Sequence, residues 1–391
     1  MVSTPAPRAV VRDLSAFYFF TFGGLGGILP FLPILLAVRG LSPSEVGWVM
    51  LLGPVANLVA PPLWGWLADA FSARLVLLRL TGLGCAAGAL MLLGGTSFVW
   101  SLGAMAVYSA FRAPILPLAD TAAHTALGKE VHRFADIRVW GSLGFALFAF
   151  SIGHFDGTSK PTLMLGLTAG AYLMSTASTA RLSSPPLQPK TPVAKAALQF
   201  VMQPRLLALF VGSAFYYVAH GAFDVYFGLH MRALGHSDSF VGLAWMVAVF
   251  AEVGLMRIAP RLLRYRSGEG YLVLAACASV LRWLLLSQIE SQIAILFSQL
   301  LHALTFGIWY LALVRYIQVR APTEVRTTVQ SVSQAAQGFG MMVGYLGGGQ
   351  VFEAFGGGPL FGGAAIAAGC AGLLYGALWA LRGSGAPGAP V

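Results

Sequence analysis

Charge is what this chain has least of: 10% of its 391 residues are Asp, Glu, Lys or Arg, against about 25% in a soluble globular protein. So few charges cannot coat a water-facing surface, which excludes the two or three soluble domains that the length alone would suggest. The same shortage excludes disorder and coiled coil. Cysteine is also scarce. Cys85, Cys277 and Cys370 lie scattered in apolar stretches with no CxxC or metal-ligand spacing, so a disulfide-stapled secreted domain is excluded and core thiols are expected. There is no phosphate loop, no Gly-x-Ser-x-Gly elbow and no metal-like histidine spacing. The chain is therefore not expected to be an enzyme, and it has no motif through which ATP would drive it. What is abundant is apolar: 57% hydrophobic residues, 26 phenylalanines and 47 glycines. A multi-pass membrane protein follows.

A helix needs about 20 apolar residues to cross the hydrocarbon core. Twelve runs qualify, near 14–38, 45–68, 75–94, 98–123, 135–155, 161–181, 205–230, 239–259, 270–288, 291–317, 327–352 and 359–381. The first run lacks a small-residue cleavage site and is expected to be retained. The longest break carries Ser183, Ser184, Pro185, Pro186, Pro189 and Pro192, a linker composition. It divides the chain into a bundle over 1–181, a linker over 182–204 and a bundle over 205–391. The net charge of +10 comes from basic residues set singly in short loops, which is a topology signal and not a nucleic-acid surface. Nineteen Lys and Arg fall on one side and three, Arg39, Lys160 and Arg232, on the other. Positive residues stay inside, so both termini and the linker are expected in the cytoplasm of a bacterial-type inner membrane.

The two halves repeat. Ser15-Ala16-Phe17-Tyr18 returns as Ser213-Ala214-Phe215-Tyr216, and Arg39-Gly40-Leu41 is answered by Arg232-Ala233-Leu234. Two such six-helix halves around a central cavity are the arrangement of a rocking, alternating-access transporter. Between the second and third runs stands Gly65-Trp66-Leu67-Ala68-Asp69, with Arg74 five residues on. This resembles the loop signature of the major facilitator superfamily, and it implies that Asp69 and Arg74 form a cytoplasmic gating latch.

Six anchors in order resemble the lactose permease and phenylpropionate permease branch of that superfamily. They are Phe17-Tyr18-Phe19-Phe20; Ala113-Pro114 through Asp120 with Arg138-Val139-Trp140-Gly141; Ser279-Val280-Leu281-Arg282; Leu301-His302; Arg315-Tyr316-Ile317; and Glu324-Val325-Arg326. The resemblance implies an all-α fold of twelve transmembrane helices in two pseudo-symmetric bundles. It further implies that Asp120 and Arg138, eighteen residues apart, bind substrate hydroxyls; the alternative is a buried pair that only joins two helices. Phe145 takes the place of a sugar-stacking tryptophan, which weighs against a galactoside.

Ionised side chains at mid-membrane cost about 2.5–3.5 kcal/mol each on insertion scales, so few occur without a function. Arg112, eight residues before Asp120, leaves the first half positive and suits a substrate carboxylate; a structural or gating role is the alternative. Glu252 lies at mid-depth of the eighth run, and an offset of 195 pairs it with Asn57, a further candidate for substrate binding. Low dielectric disfavours an ionised carboxylate, the property a proton carrier needs. Arg282 and His302 match the family's coupling arginine and histidine, and His302 either relays protons, binds substrate or is a helix contact. Thr305 and Gln299 stand where the family carries a coupling glutamate and a lysine, so Glu252 is the expected substitute. Asp224 lacks its lysine partner, replaced by Gln337, and either protonates, pairs with Arg282 or serves as a second coupling acid.

The expected function is secondary active uptake: a proton and a small organic substrate, such as an aromatic acid or a sugar, move inward together. No cofactor is expected beyond the proton gradient, with sodium as an alternative ion because carboxylates and carbonyls also bind it. A lone chain in the bilayer is expected to suffice. The alternative is a proton-coupled drug or metabolite exporter of the same superfamily, disfavoured by a fifth run without proline. A membrane-embedded enzyme or receptor is more remote.

Overall fold

A computed structural model describes residues 8–182, 199–262 and 267–381, and every regular element among them is helical. The expected linker lies largely outside the described residues, as do Arg264, Arg266 and Arg382. Helix falls on each of the twelve expected runs. In chain order these are α1 (Arg8–Val38, with a turn at 29–31), α2 (Pro43–Ala70), α3 (Arg74–Met91), α4 (Phe98–Leu127), α5 (Phe134–His154) and α6 (Pro161–Ser178). They continue as α7 (Pro204–Ala233), α8 (Asp238–Leu262), α9 (Gly268–Gln288), α10 (Gln292–Arg320), α11 (Arg326–Phe355) and α12 (Gly357–Ala380). Ten of these are long and apolar enough to cross a membrane; α6 and α11 are long enough but are not among the ten.

The chain forms two compact units. The first comprises Met1–Pro189 and Met231–Met246, and the second Lys190–His230 and Val247–Val391. In the first unit α1 packs on α5 and α6, α3 on α4 and α6, and α2 on α4. In the second, α9 packs on α12 and α10. Glycine permits the closest approaches. Gly144 of α5 lies against the Phe19 carbonyl of α1, and Gly340 of α11 lies against the Ala214 carbonyl of α7, each too near for a Cβ. Backbones that approach this closely gain dispersion contacts that lipid cannot supply.

Local chemistry sets the helix ends. After α1 and α7, Gly40 and Gly235 adopt φ of +94° and +82°. The next amides close back five residues, Leu41 N–H to Leu36 O at 3.1 Å and His236 N–H to Met231 O at 2.9 Å. Both are glycine-terminated helix ends that use carbonyls left over by the helix. Ser42 and Glu45 cap α2 reciprocally, and Ser237 accepts from Phe240 N–H at the start of α8. The repeat offset at these loops is thus 195, so Gly40 is matched by Gly235, two residues beyond the sequence expectation of Ala233.

Proline breaks α4 at Ala113–Pro114, because Pro114 has no N–H and its ring crowds the preceding turn. Arg112 therefore ends one half-helix, where carbonyl dipoles favour a cation, and Asp120 sits on the other. In an unbroken helix the eight residues between them would span about 12 Å; the break at Pro114 interrupts that path. The outer faces are apolar, with Val99, Phe297, Ile366 and Leu373 among many exposed large side chains. That is the surface a bilayer solvates.

Candidate functional site

Each unit holds a cluster of polar side chains inside an apolar helix array. In the first unit, Tyr18 of α1 is fully buried and donates its hydroxyl to Asp120 Oδ1 at 2.5 Å. The Arg138 guanidinium of α5 lies over two rings of α1, 4.1 Å from the Phe22 centroid and 5.3 Å from that of Tyr18. Asp120 and Arg138 thus flank one tyrosine, and among the described residues no ion pair joins them. A guanidinium held on π-faces keeps its N–H donors available.

Arg112 donates through Nη2 to Asn57 Oδ1 of α2 at 3.1 Å. Among the described residues no carboxylate pairs with it. Beside it opens a narrow recess of about 20 Å³, walled by Thr21, Phe22 and Leu25 of α1, Ile115 of α4 and Tyr172 of α6. Tyr172 shares its hydroxyl with Tyr108 at 2.7 Å, and Thr21 with Ser175 at 2.6 Å, so both walls are held. Phe145 is not at this recess; it is buried, with its ring 5.6 Å from that of Trp245.

In the second unit the centre is Arg282 of α9, with no exposed surface. Its Nη2 donates to Gln299 Oε1 at 2.6 Å, and its Nη1 lies 3.2 Å from Thr305 Oγ1 and 3.0 Å from His302 Nδ1. A guanidinium only donates, so Nδ1 of His302 accepts and Nε2 carries the ring proton. That nitrogen faces Glu252 Oε2 of α8 at 3.5 Å. A continuous chain Arg282–His302–Glu252 results, with both imidazole nitrogens engaged. Phe223 and Trp283 cover the guanidinium at 4.4 and 4.8 Å. Asp224 makes no ion pair with Arg282 or with any other described residue.

Directly after His302, α10 widens into a π-turn over Ala303–Ile308. Such turns release backbone carbonyls from the α pattern and recur at functional sites. Here the Thr305 carbonyl accepts from Tyr216 of α7, whose hydroxyl in turn accepts from Ser279 at 2.7 Å. Trp309, in the next turn, stacks on Tyr216 with centroids 5.0 Å apart. Nothing in the apolar sequence signals a π-turn, since it changes the hydrogen-bond pattern without needing a special residue.

The repeat reappears in side-chain contacts. Asn57 of α2 meets Arg112 of α4, and Glu252 of α8 meets His302 of α10, at offsets of 195 and 190. Tyr18 donates to α4 at Asp120 and Tyr216 donates to α10 at Thr305. Gln299 and Thr305, which looked like losses of charge in the sequence, join His302 as neutral acceptors of Arg282. The sequence offset of 195 carries Arg112 to Gly307, five residues past His302, so the correspondence of Arg112 with His302 emerges only from the contacts.

The other expected residues lie elsewhere. Arg74 opens α3, while the side chain of Asp69 lies outside what the structure describes. Sequence reasoning missed Asp238, the first residue of α8. It is wholly buried, pairs with Arg232 at 3.3 Å and accepts from the hydroxyl and amide of Thr158 in the α5–α6 connection. Gly153 and Gly242 bring the α5 and α8 backbones together beside it. No cluster suited to a metal occurs among the described residues.

Among curated proteins the chain is 28% identical to the maltose permease of Geobacillus stearothermophilus over 355 residues, covering 89% of each chain. It is also 28% identical to the probable 3-phenylpropionic acid transporter of Escherichia coli K12, over 84% of this chain and 87% of that one. Among solved structures, the nucleoside transporter NupG superposes with a TM-score of 0.81 at 16% identity, over 95% of this chain and 98% of that one, a likeness of fold. The family model described as MFS_1 like family matches residues 11–362. With twelve helical runs, an apolar exterior and charged clusters held inside, the chain belongs to that family, as a multi-pass membrane transporter of the major facilitator type and not an enzyme.

Proposed function

We propose that this transporter is a proton-coupled symporter that brings a small organic solute into the cell, with both termini in the cytoplasm of a bacterial inner membrane. The observation that carries this reading is the buried chain Arg282–His302–Glu252. A carboxylate in low dielectric is accommodated either protonated or ion-paired through a bridge. Protonated Glu252 is neutral and leaves the His302 bridge to Arg282 without a counter-charge. Deprotonated Glu252 is stabilised by the Nε2 proton of His302 and, beyond it, by Arg282. Loading and losing a proton thus changes how strongly α8, α9 and α10 hold one another, which is how an ion gradient can bias alternating access.

Asp120, Tyr18 and Arg138 supply a second polar group, with donors and acceptors suited to a solute. Relatives are named for a sugar and an aromatic acid, and a fold neighbour for nucleosides; a solute of that size and polarity fits this reading. Asp224, unpaired beside the α7 aromatics, serves as a second acid on the proton route.

Reconstituted Glu252→Gln protein should retain substrate exchange at near wild-type rate and lose gradient-driven accumulation. Unimpaired accumulation would remove Glu252 from the mechanism. If collapse of the pH gradient leaves accumulation intact while sodium removal abolishes it, the coupling ion is sodium instead.

A further inference from the structure

The first turns of α8 belong to a different unit from the rest of that helix. By the internal repeat α8 answers α2 of the first half and so belongs to the second. Yet Met231–Met246 group with the first unit, and the second unit resumes at Val247, five residues before Glu252. A seam along α5 holds those residues in the first unit. A Cβ on Gly153 would fall 2.5 Å from the Asp238 carbonyl oxygen, and one on Gly242 would fall 2.5 Å from that of Ala149. Phe145 and Trp245 close the inner end of the seam, with ring centroids 5.6 Å apart. At its outer end the contact turns polar. The Thr158 amide donates to Asp238 Oδ2 at 3.3 Å, the Thr158 hydroxyl donates to the same oxygen, and Ser239 donates to the Gly153 carbonyl at 3.1 Å. Asp238 has no exposed surface, and Arg232, at the end of α7, stands 3.3 Å from its Oδ1.

We propose that Asp238 and Thr158 form a gate lock on the membrane side opposite both termini, fastening the first turns of α8 to the α5–α6 connection and parting once in every transport cycle. α8 is a continuous helix from Asp238 to Leu262. Such a helix moves as one body. It cannot stay fixed to α5 through Met246 and also follow the second unit from Val247 when alternating access rocks the units. The seam has the chemistry of a reversible contact. Glycine against backbone separates without withdrawing interlocked side chains, and the polar bonds lie among the exposed Ser159, Lys160 and Ser237, where water replaces each bond as it breaks. Arg232 stands on the α8 side of the seam, so the ion pair travels with Asp238 and opening gives up only the bonds to Thr158 and Gly153. The internal repeat supports the assignment. At the start of α2 an acid, Glu45, caps its own helix with Ser42. An offset of 195 puts Phe240 in the place of Glu45 and Asp238 in the place of Pro43. The acid of the second half is thereby turned from its own helix onto a neighbouring connection. This lock requires alternating access and neither a particular solute nor a particular coupling ion.

The test is a distance measurement by pulsed electron–electron double resonance on the full-length protein in liposomes. Nitroxides are placed at Ser159→Cys and Ala233→Cys, both exposed positions, with Cys85, Cys277 and Cys370 replaced by alanine. The labelled parent should show mainly a short distance across the seam. Thr158→Val conserves shape and removes the hydroxyl bond to the carboxylate. It should raise the ratio of long to short distances about 10- to 100-fold, the range for a hydrogen bond to a charged group. Thr158→Ser restores that donor and should restore the parent ratio, which separates loss of the bond from loss of packing. Asp238→Asn should shift the ratio in the same direction as Thr158→Val, and the valine variant keeps the test open if the asparagine variant does not fold as judged by gel filtration. A distance distribution unchanged in the folded valine variant, or a serine variant that opens as far as the valine one, would overturn the proposal. Neither a solute nor a gradient is present, so a failure of proton coupling leaves the outcome unchanged.

Discussion

Arg282 shows how a buried charge is tolerated in this protein. It has no exposed surface, yet it is met by Gln299, Thr305 and His302 and covered by two aromatic rings. Neutral acceptors solvate the guanidinium without cancelling it, so its charge still acts on Glu252 through the imidazole. Gln299→Met removes the shortest of these bonds while conserving volume. It should cost about 1.5–3 kcal/mol, as for hydrogen bonds to charged groups, read as a lowered unfolding midpoint in detergent. A midpoint within error of wild type would show that Gln299 contributes nothing to holding the arginine. Asp238 makes a comparable case in the first unit. Asp238→Ala strands the amide and hydroxyl of Thr158 and should cost about 1–3 kcal/mol, measured the same way.

Between helices, the recurring device is a glycine against a carbonyl. Gly144 on Phe19 and Gly340 on Ala214 join α5 to α1 and α11 to α7 at corresponding places in the two units. Either glycine replaced by alanine forces backbone apart from backbone, and overpacking of this kind costs about 1–3 kcal/mol. Both variants should unfold earlier than wild type, while Gly166→Ala, where a Cβ meets nothing, should not. Equal midpoints for all three would mean that the helices shift apart freely. The broken α4 and the π-turn of α10 are the other element-scale feature. Each interruption lies beside the polar residue that faces its neighbour in the unit, Arg112 in one case and His302 in the other. A regular helix would satisfy its carbonyls internally at that point; the interruption leaves polar backbone to share with side chains.

For the molecule as a whole, the membrane sets the rules. The 19-to-3 asymmetry of basic residues predicts that a green fluorescent protein fused after Val391 fluoresces and that alkaline phosphatase fused there is inactive. The opposite pattern would invert the topology. Each unit carries its own polar cluster, and the two share the equivalent helices α1 and α7, α2 and α8, and α4 and α10. The difference between the two is chemical: an amide with an arginine in the first, an acid with a histidine in the second. One repeated architecture thereby offers a fixed positive group and a titratable one.

Much of this was legible without coordinates. Lack of charge and twelve apolar runs determined a multi-pass helical protein, because only helices satisfy their own backbone in lipid. The cost of burying ions picked out Arg112, Asp120, Glu252 and Arg282, and the repeat offset paired Asn57 with Glu252. What tertiary structure alone decided was which polar groups meet. Asp120 takes the Tyr18 hydroxyl, Arg112 takes Asn57, and Arg282 reaches Glu252 only through His302. The π-turn of α10 and the burial of Asp238 belong to the same class. Such choices depend on helix rotation and on breaks of a few residues, and composition is blind to both. A hydrophobic run specifies that a helix crosses, since transfer free energy sums along its length; which face it turns to a neighbour is set by packing of side chains distant in sequence.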